Sequence, residues 1–266
     1  MSISSLNDLP VALGSLFFFL ILLAALETGY RAGLHQSEKF KGGESSRENI
    51  VLTSVLALLG LILAFTFSSG INHYQLRKHA VVAESNAIGT AFLRADLQAD
   101  PGRTELKKAL LEYARARAIQ PGTAHTKEKV EEVIENSTRA RDAIWPALKQ
   151  VLQQKEPGPM EVLLVEAINE VFDYHSIRIM AVFDKLPPII IWLVVFISSA
   201  ALAVAGFNAG IKGWINRWRL SVFALVLSSV MLVIQDFDRP ITGFIIVSHD
   251  STLSVIAEME ENLESH

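Results

Sequence analysis

The chain contains no cysteine, which excludes a disulfide framework, a thiolate metal site and a cysteine nucleophile. Charge is scarce as well. Only 20% of its 266 residues are Asp, Glu, Lys or Arg, where an ordinary soluble domain carries about a quarter. The net charge of −4 lacks the basic surplus that neutralises phosphates, so no nucleic-acid partner is expected. There is no phosphate-binding glycine loop, no His-Glu-x-x-His and no Gly-x-Ser-x-Gly, and the seven histidines are scattered at 35, 73, 79, 125, 175, 249 and 266. No set of residues supplies nucleophile, base and oxyanion site, so the chain reads as a non-enzyme without catalytic residues, metal or cofactor. Asp173 and His175, two apart on a helix, point to different faces, which favours a structural hydrogen bond over metal ligation. The Asn136-Ser137-Thr138 sequon sits in a charged helical stretch and reads as chance.

What is abundant is apolar. Half of the residues are hydrophobic and the mean hydropathy is +0.33, more than one ordinary core can house. Crossing about 30 Å of hydrocarbon takes about 20 mostly apolar helical residues. Uncharged stretches at Leu9–Leu26, Asn49–Gln75, Leu186–Ile211 and the shorter Leu220–Gln235 approach that length. The expected fold class is therefore an all-α membrane protein, with four transmembrane helices and a helical soluble domain inserted between the second and third. The first pair of helices, about 9–29 and 50–71 with a basic loop, occupies 1–71. The second pair, about 186–208 and 217–235, occupies 186–235. Because MSISSLNDLP has no Lys or Arg and the first run is of spanning length, it reads as a retained span rather than a cleaved leader. Trp192, Trp214, Trp218 and Tyr30 fall near proposed helix ends, where interfacial aromatics belong. Lys and Arg number seven in the short loops and five near helix ends on the other side, a slight bias that by itself puts the soluble domain outside the cytoplasm.

The segment 72–185 is densely charged but neutral, with 16 basic and 16 acidic residues. Breaks at Asp100-Pro101-Gly102, Pro121-Gly122 and Glu156-Pro157-Gly158-Pro159 divide it into helices at about 72–99, 102–119, 125–154 and 160–185. Ala80, Val81, Ile88, Ala91, Phe92 and Ala95, and likewise Leu164, Ile168, Val171, Phe172 and His175, recur at helical spacing and form the candidate core. The first and last of these helices run into the second and third spans, interrupted only by Gly70 and by Pro187-Pro188, so movement in the domain can reach the membrane. The remaining 236–266 reads as an Asp-x-Asp-Arg-Pro turn, then a short buried strand or extended piece at 241–247, then a helix capped by Ser251 that runs to about Leu263. Its seven acids against one base mark a solvated, fraying end.

In the second span Thr53, Ala57, Gly60, Ala64 and Ser68 follow at steps of 4, 3, 4 and 4, which stacks small or weakly polar side chains on one face. Two readings stay open. Close helix packing uses such a face because lipid gives no hydrophobic drive for association. A pore or cavity lining uses it too, with Phe65 or Phe67 as the bulk of a dewetting constriction. Packing is the better reading from residues alone. Ser198, Ala201 and Ala205, Ser221, Ala224 and Ser228, and Gly206-x-x-x-Gly210 repeat the ambiguity. Glu27 at the end of the first span and Asp236, Asp238 and Arg239 at the end of the fourth are carboxylates and a cation near hydrocarbon, hence functional candidates, with an Asp–Arg cap of the fourth helix as the plainer reading.

Three stretches taken in order, Glu84-Ser85-Asn86-Ala87-Ile88-Gly89-Thr90-Ala91-Phe92-Leu93-Arg94-Ala95-Asp96-Leu97, Leu186-Pro187-Pro188-Ile189-Ile190-Ile191-Trp192 and Asp236-Phe237-Asp238-Arg239-Pro240-Ile241-Thr242-Gly243, resemble the bacterial bestrophin-like membrane proteins. The resemblance covers nearly the whole chain. Through the distant likeness of that family to bestrophins, it implies a homo-oligomer, by analogy a pentamer, in the bacterial inner membrane. It also implies a cytoplasmic soluble domain, against the charge count, and a path for small anions lined by the second span. The bestrophin Asn-Pro-Phe-Gly-type motif and acidic calcium-binding run are not found. The leading expectation is an oligomeric channel in which Thr53, Ala57, Gly60, Ala64, Phe65 and Ser68 line or narrow the pore. Glu84, Arg94, Asp236, Asp238 and Arg239 would then couple domain to membrane. The alternative is a non-conducting scaffold or sensor whose soluble domain binds a partner or ligand.

Overall fold

A computed structural model describes residues 11–37, 45–118, 127–153, 158–239 and 244–265. Eight helices and no strand are found among them: α1 (Val11–Gln36), α2 (Ser45–Asp96), α3 (Gly102–Arg117), α4 (Lys127–Leu152), α5 (Pro159–Phe183), α6 (Pro188–Ile211), α7 (Arg217–Phe237) and α8 (Asp250–Glu264). Four of them, α1, α2, α6 and α7, hold the apolar stretches long enough to cross a membrane. The chain divides into two compact units, Met1–Asn72 with Leu186–Arg239, and His73–Lys185 with Pro240–His266.

The membrane unit is built on a backbone-to-backbone seam. A Cβ added to Gly29 or Gly33 of α1 would lie 2.0 or 2.2 Å from the carbonyl oxygen of Ala203 or Phe207 in α6. One added to Gly206 or Gly210 of α6 would lie 2.2 or 2.3 Å from that of Leu26 or Tyr30 in α1. Two Gly-x-x-x-Gly pairs thus face each other, and the helices approach more closely than any side chain permits. Such approach puts Cα–H groups against carbonyl oxygens, a weak but repeated attraction. Of the two readings open for Gly206-x-x-x-Gly210, packing is the one realised; its partner pair, Gly29 and Gly33, has the same spacing but lies at and beyond the expected end of the first span. Phe18, Leu22 and Leu26 of α1, Leu59 of α2, Val194, Ile197, Ala201 and Leu202 of α6 and Ala224, Leu227 and Met231 of α7 fill the core beside the seam. Hydroxyls in these helices turn back on their own backbone: Ser15, Thr66 and Ser228 donate to Ala12, Ile62 and Ala224 carbonyls at 2.8–3.0 Å. The polar atom is thereby satisfied without a partner from lipid.

Several boundaries differ from expectation. Helix α1 continues to Gln36, so Glu27 lies within the helix rather than at its end, salt-bridged to Arg31 one turn on at 3.0 Å. Gly70 interrupts nothing, because α2 is unbroken from Ser45 to Asp96. One missing Cβ costs a helix only about 1 kcal/mol, and Gly70 lies beside the Phe237 side chain, 3.4 Å from where a Cβ would stand. Pro187-Pro188 does make a break, since α5 ends at Phe183 and α6 begins at Pro188. At 52 residues α2 is roughly 78 Å long, far beyond one bilayer. Its apolar part, 50–71, falls in the first unit, and the charged remainder belongs to the second.

In that second unit α2, α3, α4, α5 and α8 enclose one core. Ile88, Ala91, Phe92 and Ala95 of α2 meet Leu106, Leu110, Tyr113 and Ala114 of α3, Ile144 and Leu148 of α4, Leu164, Ile168 and Val171 of α5, and Ile256 and Met259 of α8. The acidic tail therefore does not fray. Ile256 and Met259, three apart, give α8 an apolar face to bury, and Thr252 reaches the buried Ser85 hydroxyl at 2.8 Å. Lys107, 2% exposed, lies 4.7 Å from the Phe92 ring centroid and ties Asp96 to Asn262 of α8. Ser251 is not the cap. The N-cap is His249, and the Ser248 hydroxyl accepts from the Asp250 N–H at 3.1 Å. Residues 240–243 of the expected extended piece lie outside the described residues, and 244–249 form no strand. The Pro121-Gly122 break also lies outside them. At the other end of the domain, buried Arg77 donates to the Ala181 and Asp184 carbonyls at 3.0 and 3.1 Å, a cation closing the C-terminus of α5.

The seam makes a contrast of glycines testable. Gly206→Ala or Gly29→Ala forces two backbones apart and is expected to cost about 1–3 kcal/mol, seen as a fall of several degrees in the thermal unfolding midpoint in detergent. Gly60→Ala, with nothing within 4 Å of the added carbon, leaves that midpoint unchanged or slightly raised.

Candidate functional site

Two features stand out as sites, one in each unit. In the membrane unit it is the open face of α2. Thr53, Ala57, Gly60, Ala64, Phe65 and Ser68 are all exposed in the single chain, Phe65 at 67%. Leu59 and Thr66 are the buried side of the same helix. In the most apolar window of α2 only 11% is buried, against 28–33% in the corresponding windows of the other three spans. A helix facing only lipid would carry large apolar groups outward. The span does expose large apolar groups, among them Ile50, Leu58, Leu61 and Phe65, but one strip of it presents small and weakly polar side chains, as at a helix–helix interface or along a water-filled path.

At the end of the fourth span the Asp-x-Asp-Arg turn is largely internal structure. Asp236 is 2% exposed, Asp238 is the C-cap of α7, and Arg239 donates its backbone N–H to the Asp236 carbonyl at 3.1 Å. The Asp238 carboxylate accepts the Leu186 N–H at 2.7 Å, which holds the entry to α6. Asp238 thus caps α7 and pins a second helix start as well.

In the soluble unit the feature is a buried ion cluster around Glu84, which is 0% exposed on the charged part of α2. Arg117 at the end of α3 donates its Nε to both Glu84 oxygens at 2.8 and 3.0 Å. Arg178 of α5 donates to Glu84 Oε2 through Nη1, and through Nη2 to the Arg117 carbonyl and His249 Nδ1, each at 3.1 Å. The Tyr113 hydroxyl donates to Glu84 Oε1 and lies 3.0 Å from His175 Nδ1. Arg117 also reaches the buried Ser137 hydroxyl at 3.3 Å. Every helix of the unit contributes except α8, whose N-cap His249 takes part instead.

Electrostatics assigns the protonation states. Burial pushes the Glu84 carboxyl up, but the Arg117 and Arg178 cations and the Tyr113 hydrogen bond outweigh it and hold the group below its ordinary value, hence ionised. Burial and the Glu84 charge push the Tyr113 phenol up, so it remains a donor. His175 is held down to about 4 by burial and by Arg117, and His249 to about 4 by burial and by Arg178. Both are neutral, and His249 Nδ1 accepts from a guanidinium that an imidazolium would repel. His175 is structural, as expected, although its partner is Tyr113 of α3 and Asp173 stays exposed. Arg94 shares α2 with Glu84 yet stays out of the cluster; its guanidinium donates to the Leu163 carbonyl at 2.5 Å. Among the described residues no group of three His, Cys, Asp or Glu is placed to hold a metal.

Sequence reasoning picked out Glu84 and His175 but not Arg117, Arg178, Tyr113 or His249. Their one visible signal is position, since Tyr113-x-x-x-Arg117 and His175-x-x-Arg178 put polar groups on the buried side of amphipathic helices.

These features define a class: an all-helical integral membrane protein whose soluble helical unit is closed around a buried carboxylate. A bestrophin-like domain model matches residues 44–252, and the chain belongs to the bestrophin-like family. The fold is shared with three solved structures. A point variant of a bacterial bestrophin homologue from Klebsiella pneumoniae matches with a TM-score of 0.63 at 12% identity, over 96% of this chain and 97% of that one. A second variant from that organism gives 0.52 at 12% identity, over 93% and 99%. A membrane-protein point variant gives 0.62 at 11% identity, over 96% and 97%. No curated protein matches.

Two measurements test the cluster. Glu84→Ala leaves two buried guanidinium groups without a counter-charge and is expected to cost about 3–5 kcal/mol, read as lost hydrogen-exchange protection in α3, α5 and α8. The histidines set a pH dependence. Both titrate near 6.5 when unfolded but only at about 4 in the fold. Unfolding therefore takes up protons between those values, and stability is full above about pH 6.5 and falls as pH drops toward 4. Thermal midpoints measured between pH 7.5 and 4.5 should decline, less steeply in His249→Gln.

Proposed function

We propose that the protein is a homo-oligomeric bestrophin-like channel of the bacterial inner membrane, a pentamer, that passes small anions along an axis lined by the spanning part of α2. The observation that carries this reading is the face Thr53, Ala57, Gly60, Ala64 and Ser68, left uncovered by the chain's own helices in a member of this family. A ring of copies covers part of that helix with neighbours and leaves a narrow strip facing the axis. Phe65, beside that strip and the more exposed of the span's two phenylalanines, is proposed as the constriction. Glu84, Arg94 and the Asp236, Asp238, Arg239 turn are proposed to couple the soluble domain, on the cytoplasmic side, to that path. The continuity of α2 between the two units supports such coupling.

The experiment is anion flux from vesicles containing the purified protein. Phe65→Ala is expected to raise flux severalfold at equal protein density, and an unchanged rate removes Phe65 from the constriction. Native mass spectrometry of the same preparation should give a ring of five. A monomer or dimer that carries no flux favours the non-conducting scaffold instead.

A further inference from the structure

At the ends of the spans around the α6–α7 turn, the membrane unit carries a one-sided charge. Among the side chains described there, Arg31 near the end of α1, Lys212 in the turn and Arg217 and Arg219 at the start of α7 stand against one carboxylate, Glu27. That carboxylate is already engaged, with Arg31 at 3.0 Å and Arg217 at 3.4 Å. Arg217 also lies 5.2 Å from the Tyr30 ring centroid, so the start of α7 is fastened to α1 and the patch is held in place. Lys212 and Arg219 are exposed and have no ion-pair partner among the described residues. Between and beside them stand the indoles of Trp214 and Trp218, 66% and 77% exposed. The uncharged part of α7 begins at Leu220, which sets this group of side chains at the depth where hydrocarbon gives way to headgroups.

We infer that this basic and aromatic turn is a binding site for an anionic phospholipid. Its chemistry is complementary in three respects. A phosphodiester accepts from the free Arg219 and Lys212 donors. Exposed indoles pack against glycerol and upper acyl carbons while their N–H groups remain wet. A headgroup bearing its own cation, such as choline, meets two unpaired positive side chains and is disfavoured. A second copy of the chain is a poor occupant for the same reason, because the patch repels itself. Inorganic phosphate satisfies the cations but leaves both indoles uncovered. The inference needs only that the chain resides in a membrane; it does not depend on conduction.

The test uses the full chain in phosphatidylcholine vesicles containing a minor share of phosphatidylglycerol, with bromine-labelled acyl chains on one lipid or the other, and reads tryptophan quenching. Phosphatidylglycerol should quench well beyond its bulk share. With each cation near an anionic headgroup adding roughly fivefold, Lys212→Gln combined with Arg219→Gln should weaken that preference at least roughly tenfold. Both side chains are exposed and have no ion-pair partner among the described residues, so the fold survives their loss, and Lys212→Arg should keep the preference. Trp214→Phe with Trp218→Phe should abolish the lipid-specific quenching, which separates it from Trp145 and Trp192. Quenching by each lipid in proportion to its bulk share overturns the inference. So does its full reversal by millimolar inorganic phosphate, which would show a phosphate site rather than a lipid site.

Discussion

Hydrocarbon offers a helix neither hydrogen-bond partners nor a hydrophobic reason to meet another helix, and the membrane unit is organised by that constraint. What draws α1 to α6 is close approach itself. Four glycines let two backbones touch where any Cβ would collide with a carbonyl oxygen. The core residues of α7 and the buried Leu59 of α2 pack beside that pair of helices. The same constraint explains the Ser15, Thr66 and Ser228 hydroxyls, which satisfy themselves on the preceding turn of their own helix.

The soluble unit is governed by the opposite term. Its core is ordinary, and the costly element is one carboxylate buried completely. Taking Glu84 out of water is tolerable because two guanidinium groups and a phenol replace the solvent, and those groups come from α3 and α5. An ion cluster of this kind adds little net stability over apolar packing, but it penalises any arrangement in which its members fail to meet. It therefore acts as a register for α2, α3 and α5, and through His249 it fixes the start of α8.

The helix common to both units is α2, and it changes character along its length. Its first part shows an apolar, small-residue face that the chain leaves open, and its later part carries the buried carboxylate. One unbroken helix thus carries an uncovered small-residue strip in one stretch and an electrostatic hub in the other.

The four spans, the helical insert and the apolar stripe of each soluble helix were legible in the sequence because they rest on local quantities: run length, 3.6-residue period and the placement of proline. So was the resemblance that the family match bears out. The glycine seam was half legible. Both Gly206–Gly210 and Gly29–Gly33 show the spacing, but only the fold sets the two pairs opposite each other. The tail misleads by composition. Its acids suggest a fraying end, yet Thr252, Ile256 and Met259 are buried, because burial depends on the face and not on the average. Glu84 was marked without its partners, Arg117 and Arg178, which lie 33 and 94 residues away. Periodicity and length, being properties of neighbours in the chain, were determined by the sequence alone. Which glycines touch and which cations meet a carboxylate were decided by tertiary structure, because both are contacts between residues that only folding brings within a few ångströms.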